Sequence, residues 1–203
     1  MKIITKYFAF AFLTLFIINT SIAQTLSIGP LLGVNISTVS NSPAAENIAG
    51  ISAGGFLNYS VNEHVGLNAK VLFTQLGTGY ENSTLINRFN YLHVPVSAVY
   101  FFGESGNRIR PKVYAGIYAA SLTNGNNDAA NNVVIAGQSN LNSFDIGGQV
   151  GLGFNYRIRS RTWLNVDLGY MAGVVPVIDT PTGKLRNEAY NLNVGVSFPV
   201  FGR

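Results

Sequence analysis

The chain ends in three long stretches in which apolar and polar residues alternate one by one. In SFDIGGQVGLGFNYRI (143–158), Phe144, Ile146, Gly148, Val150, Leu152, Phe154, Tyr156 and Ile158 share one parity. Asp145, Gly147, Gln149, Gly151, Gly153, Asn155 and Arg157 share the other. TWLNVDLGYMAGV (162–174) follows. NEAYNLNVGVSFPV (187–200) then sets Tyr190, Leu192, Val194, Val196, Phe198 and Val200 against Asn191, Asn193, Gly195 and Ser197. A period of two is the signature of a strand, so each stretch is a ribbon with one apolar face and one polar, glycine-rich face. The apolar face either covers a soluble core or meets lipid, with the polar face lining a narrow lumen.

Upstream the pattern repeats. LSIGPLLGVNIST (26–38) keeps Leu26, Ile28, Leu32, Val34 and Ile36 in phase, and GISAGGFLNYSV (50–61) does the same with Ile51, Ala53, Leu57, Tyr59 and Val61. In HVGLNAKVLFTQLGTGY (64–80), Val65, Leu67, Ala69, Val71 and Phe73 oppose His64, Gly66, Asn68, Lys70 and Thr74. A fourth strand over 88–102 carries Leu92, Val94, Val96, Ala98, Tyr100 and Phe102. Pro95 falls on its other parity and needs an unpaired amide position or a bulge. RPKVYAGIYAASL (110–122) is a fifth strand whose two faces the pattern does not separate.

The tally is eight strands in four hairpins. Connections near Asn62, Gly106 and Ser160 are short, whereas those near Ser42, Ser83, Gly125 and Pro181 are longer. The longest, TNGNNDAANNVVIAGQSNLN (123–142), is asparagine-rich and reads as a mobile loop. This alternation predicts an all-β, eight-stranded, antiparallel up-and-down transmembrane β-barrel, with short periplasmic turns and both termini on the periplasmic side. A soluble sandwich has no reason to sort its loops by length. Aromatic positions point the same way. Tyr59, Tyr100, Phe102, Tyr156, Trp163 and Phe198 lie beside the short turns or the C-terminus, and Tyr80, Phe89, Tyr91, Phe144, Tyr170 and Tyr190 beside the long loops. Two such rings are expected of interfacial girdles, although Trp163 falls on the inward parity.

Residues 1–23 read as a cleaved secretory leader: Lys2 and Lys6, then the apolar run YFAFAFLTLFII, then Ser21-Ile22-Ala23 before Gln24. That run is short for a helical span of about 20 residues. The mature barrel domain is then 24–203. Losing Lys2 and Lys6 takes the formal net charge from +4 to +2, and the remaining charges are scattered, so nucleic acid is not an expected partner. Charged residues make up only 11% of the chain, against about a quarter in soluble proteins. Cysteine is absent, which excludes disulfides, thiol chemistry and thiolate zinc sites. An exported chain of this kind, with no spanning helix after the leader, suits a closed barrel, which satisfies every backbone group within lipid.

Several segments resemble the small outer-membrane β-barrel proteins of Bacteroidota, the porin-family or PorT-like group. They are YLHVPVSAVYFFG (91–103), KVYAGIYAASL (112–122), FDIGGQVGLGFNYRI (144–158), LNVDLGYMAGV (164–174) and RNEAYNLNVGVSF (186–198). The resemblance covers the mature chain and implies an eight-stranded barrel in the outer membrane, in contact with its lipid. The last strand also looks like the signal that such proteins present to the barrel-assembly machinery, with Asn193, Gly195, Phe198 and Val200 at the matching spacing. It departs from the commonest form by running on to Gly202 and Arg203.

With the polar face as lumen, Lys70, His93, Lys112, Asp145, Gln149, Arg157 and Asp167 point inward. An eight-stranded barrel is just wide enough for side chains to fill it. Charges there must be paired and hydrogen-bonded, so the expectation is a structural plug. Asp167 with Lys70 or Lys112, and Asp145 with Arg88, are the pairings the pattern suggests. His64 and His93 are the only histidines and lack further ligands, so no metal is expected. GGQVGLG (147–153) lies inside a strand and opens no helix, which argues against a nucleotide cofactor. No GxSxG elbow is present, and the chain is read as non-catalytic. The expected role is structural, or binding through the outer loops, chiefly 123–142. A narrow solute channel and a soluble lipocalin-like periplasmic carrier are the alternatives.

Overall fold

A computed structural model describes residues 25–40, 45–80, 86–104, 106–127, 142–176, 178–180 and 183–201. The leader at 1–23, the tail at Gly202 and Arg203, and most of the 123–142 connection lie outside the described residues.

Eight long strands build the molecule: β1 (Thr25–Val39), β2 (Ile48–Ser60), β3 (Val65–Tyr80), β4 (Ile86–Phe101), β5 (Ile109–Asn127), β6 (Phe144–Arg159), β7 (Thr162–Gly173) and β8 (Asn187–Phe201). Each pairs antiparallel with its neighbours in sequence, and β1 pairs with β8, so the sheet closes on itself and leaves no edge. No helix occurs among the described residues. Two additions sit at the long-loop end: a small hairpin of Ile178–Thr180 with Gly183–Leu185, and Ala45–Glu46 against the end of β3.

The alternation sorts the side chains as the sequence requires. Leu32 and Ile117 are 68% and 69% exposed on the outer wall, and Ile51, Val71, Val96, Val150, Leu152, Leu168 and Val194 continue the belt. A continuous apolar surface of this extent is an aggregation hazard in water and matches the hydrocarbon of a bilayer. Tyr100, Phe102 and Phe198 stand outside at the short-turn end, and Phe144 and Tyr190 at the other, where Tyr170 packs against Tyr190 with centroids 5.0 Å apart.

Two members of the expected outer ring are misplaced by the sequence reading. Phe89 and Tyr91 are buried within the lumen, at 4% and 0% exposure. Putting Leu92, Val94 and Val96 outside obliges the odd positions of β4 to point in, whatever their polarity. Trp163 lies on the inner parity at the short-turn mouth, with the Arg157 guanidinium 5.7 Å from its ring.

Pro95 is accommodated by a gap rather than a bulge. Along β3–β4, Ala69 partners Val96 and Leu72 partners His93, with the pairing interrupted between them and no change of register. At the long-loop end the β2–β3 ladder stops at Ser52–Thr74. Beyond it a β1 side chain replaces the missing strand: Ser37 Oγ accepts from the Gly77 amide at 2.9 Å and donates to its carbonyl at 3.1 Å. The short turns are locally specified. Asn62 Oδ1 accepts from the amides of His64 and Val65, and Gly103 takes a φ of 78°, where a Cβ would sit 2.8 Å from Asn107 Nδ2.

Candidate functional site

The lumen is the candidate site, and it is filled in layers. At the short-turn mouth Arg110 lies over Phe101, 4.7 Å from the ring centroid, and donates to the Glu63 carbonyl, while Arg157 donates to the Gly106 carbonyl at 2.8 Å. A chain of amides comes next. Asn68 donates to Asn58 (2.6 Å), Asn58 to Asn165 (3.4 Å), and Asn165 to Ser197 (2.9 Å).

The central layer carries the charges. Asp167 meets Lys70 through Oδ2 at 2.9 Å and Lys112 through Oδ1 at 2.6 Å, with all three side chains buried. Register explains how they meet. Lys112, Gly153, Asp167 and Asn193 lie in one row across β5 to β8, and a Cβ at Gly153 would sit 2.8 Å from Asp167 Oδ1. Lys70 reaches in from β3 on the opposite wall, its ammonium 5.5 Å from the Tyr114 ring.

Tyrosine over glycine is the device of the next rows. Tyr114 is in register with Gly151 and Gly169, and a Cβ on either glycine would collide with its ring or hydroxyl. Tyr118 occupies the same relation to Gly147. Above the ion pairs, Gln149 donates to Ser97 (2.6 Å), and His93 meets Tyr118 edge-on at 4.7 Å. Asn35 donates to Ser52 and Ser52 to Thr74. A cavity among His93, Gln149, Asn193 and Lys70 offers a water-sized sphere about 10 Å³, room for roughly one water.

An apolar seal closes the outer half: Leu76, Phe89, Tyr91, Tyr118, Ala120, Met171 and Ala189. Asp145 is embedded beside it, accepting from Asn187 Nδ2 at 2.9 Å and Tyr118 Oη at 3.3 Å; Asn187 also donates to Tyr91 Oη at 3.3 Å. Arg88 is on the outward parity of β4 and donates to Gln75 Oε1. Asn187→Ala is therefore expected to lower unfolding stability by about 1–3 kcal/mol, because it strips a donor from a buried carboxylate. Urea titration of the folded protein in detergent checks this.

Of the seven residues assigned to the lumen from sequence, Lys70, His93, Lys112, Asp145, Gln149 and Asp167 are buried inside the barrel. Lys70, Lys112 and Asp167 come together, Asp145 lies apart near the outer end, and Arg157 sits at the opposite mouth. Tyr114, Tyr118, Tyr91 and Asn187 are the participants that sequence reasoning missed. The only signal available for the two β5 tyrosines was their spacing of four, which the alternating small residues obscured.

A closed eight-stranded barrel with an apolar exterior and a polar, side-chain-filled lumen is the architecture of a small membrane-spanning barrel protein. The family model described as outer membrane protein beta-barrel domain matches residues 22–179, and the chain belongs to that family, an outer-membrane one. Its fold is similar to Neisserial surface protein A (18% identity, 84% of this chain and 96% of that one, TM-score 0.50). It is also similar to OprG of Pseudomonas aeruginosa (12% identity, 89% and 97%, TM-score 0.58). At these identities the likeness is one of fold. No curated protein matches the chain.

Proposed function

We propose that the protein is a non-catalytic outer-membrane scaffold, delivered by a cleaved leader at 1–23, that presents its outer connections to a partner at the cell surface. The observation that carries this reading is the filled lumen. Ion pairs, tyrosines and an apolar seal occupy the barrel among the described residues, and the cavity between His93, Gln149, Asn193 and Lys70 has room for roughly one water. A rigid wall around a solid interior is suited to holding loops in place. Residues 123–127, expected in the loop, extend β5 instead, and the rest of the 123–142 stretch is the longest connection available for contact. Short turns and termini on the periplasmic side follow the usual arrangement of such barrels.

The alternative of a narrow channel makes a contrary prediction. Reconstituted into planar bilayers, the protein is expected to give no reproducible unitary current. Steady conductance that changes when Lys70 or Asp167 is neutralised would replace the scaffold by a pore. The soluble-carrier alternative is disfavoured by the outward apolar belt.

The finer likeness to PorT-like barrels of Bacteroidota rests on the segments quoted above. In β8, Phe198 and Val200 face outward and Asn193 and Gly195 face inward, an arrangement that suits an exposed apolar stripe read by the barrel-assembly machinery.

A further inference from the structure

Charge is distributed unevenly between the two ends of the barrel. At the short-turn end Arg108, Arg110, Arg157, Arg159 and Arg161 stand against Glu63 and Glu104. At the other end, among the residues whose side chains are described, Arg88, Lys184 and Arg186 stand against Glu46 and Glu188, a smaller excess. The five arginines share one sector of the rim. Arg157 donates its amide to the Arg108 carbonyl at 2.8 Å, Arg110 is in register with Asn155, and Arg159 with Thr162 across the β6–β7 turn.

They divide into two groups. Arg110 and Arg157 are half-buried, lie over Phe101 and Trp163, and donate to backbone carbonyls, so they brace the mouth. Arg108, Arg159 and Arg161 are exposed. Arg108 rests 5.1 Å from the Tyr156 ring, on the outward parity of β6, in the end zone where Tyr100, Phe102 and Phe198 mark the edge of the apolar belt. Interfacial aromatics sit at headgroup depth, so a guanidinium stacked on one is held level with lipid phosphates. Planar guanidinium groups pair with phosphate oxygens through two hydrogen bonds at once, and a local excess of positive charge favours lipids whose net charge is negative.

We propose that the arginine sector around Arg108, Arg159 and Arg161 is a docking surface for anionic phospholipid headgroups of the periplasmic leaflet. The site recruits a shell of such lipid to one side of the barrel. It rests on the barrel spanning the membrane with its short turns inward. It is independent of what the outer loops bind.

Trp163, the chain's only tryptophan, faces the lumen, so the reporter is Phe102→Trp, on the outer wall at this rim, in a Trp163→Phe background. The full barrel is reconstituted into vesicles of phosphatidylcholine with a minor fraction of phosphatidylglycerol, the brominated acyl chains being placed on one lipid or the other. Brominated phosphatidylglycerol is expected to quench the Phe102→Trp reporter more strongly than brominated phosphatidylcholine at equal mole fraction, reflecting a local enrichment of about fivefold or more. The difference should shrink in high salt. The triple variant Arg108→Gln, Arg159→Gln, Arg161→Gln should abolish it, the corresponding triple lysine variant should keep most of it, and Lys184→Gln with Arg186→Gln at the other end should leave it intact.

Equal quenching by both lipids in the reporter barrel with its arginines intact overturns the proposal, as does an unchanged preference in the triple glutamine variant. If that variant does not fold, the lysine variant and the salt series on the reporter barrel with its arginines intact decide. Occlusion of the Phe102→Trp reporter by soluble polyglutamate in pure phosphatidylcholine would transfer the surface to an acidic protein partner and overturn the lipid assignment. Failure of the native chain to insert, read as the absence of a heat-dependent gel shift, would instead strike the membrane reading itself.

Discussion

Replacing Asp167 with asparagine is expected to destabilise the barrel by about 3–5 kcal/mol, the penalty for leaving a buried charge without its partner. Here two ammonium groups are affected, since Lys70 and Lys112 both meet this one carboxylate. Neighbouring amides such as Asn193 offer hydrogen bonds but no compensating charge. Lys112→Met should cost less, roughly 1.5–3 kcal/mol, because Asp167 keeps its contact with Lys70. Adding Lys112→Met to Asp167→Asn should recover part of the loss, since one of the two stranded charges is then gone. Urea unfolding in detergent, followed through Trp163, gives all four corners of the comparison. Additive losses would show that the lysines find other partners when Asp167 is neutralised.

Gly151→Val should prevent the barrel from closing. A Cβ at this position meets both the Tyr114 ring and the Leu168 carbonyl. The ring fills the centre of the lumen and the carbonyl belongs to the neighbouring strand, so neither has room to withdraw. Gly151→Ala, one methyl group, should lose about 1–3 kcal/mol. Shortening the tyrosine in Gly151→Ala, Tyr114→Leu should return only part of this, because the backbone contact remains. Gly148 supplies the control three residues away. It faces outward, its nearest neighbour would be 3.9 Å from an added Cβ, and Gly148→Ala should be within about 0.5 kcal/mol of the native chain. The heat-dependent gel shift reports folding, and urea titration the size of the effect. A folded Gly151→Val barrel of native stability would refute the tyrosine-over-glycine packing.

The strands were legible because lipid outside and polar groups inside write the same two-residue rhythm into each of them. What the rhythm concealed was the outer half of the lumen. Phe89, Tyr91, Tyr114 and Tyr118 point inward although they are aromatic, so hydrophobicity alone assigns them to the wrong face or to neither. In β5 the difficulty is compounded by Ala115, Gly116, Ala119 and Ala120, small residues that suit either side. The polar residues of the plug were readable as inward-facing, whereas their partners were not. Asp167 meets a lysine 97 positions earlier, and Asp145 is held by Tyr118 and Asn187 from two other strands. Such pairings depend on how far each strand slides past the next, and that stagger emerges only when the whole wall is assembled. The long-loop end adds a further case, Ser37 standing in for a strand partner at Gly77, which no alternation foretells.

The pairing of β1 with β8 sets Leu26 beside Phe201, so both ends of the folded wall meet on one rim. Seen as a ring, the molecule has no privileged starting strand. A circular permutant in which a few added residues join these ends, and a new break falls in one of the long connections, would retain every inter-strand hydrogen bond described above. The same ring predicts an all-or-nothing assembly. The final seam joins the two most distant parts of the sequence, and until it forms, two strands present bare edges to the membrane.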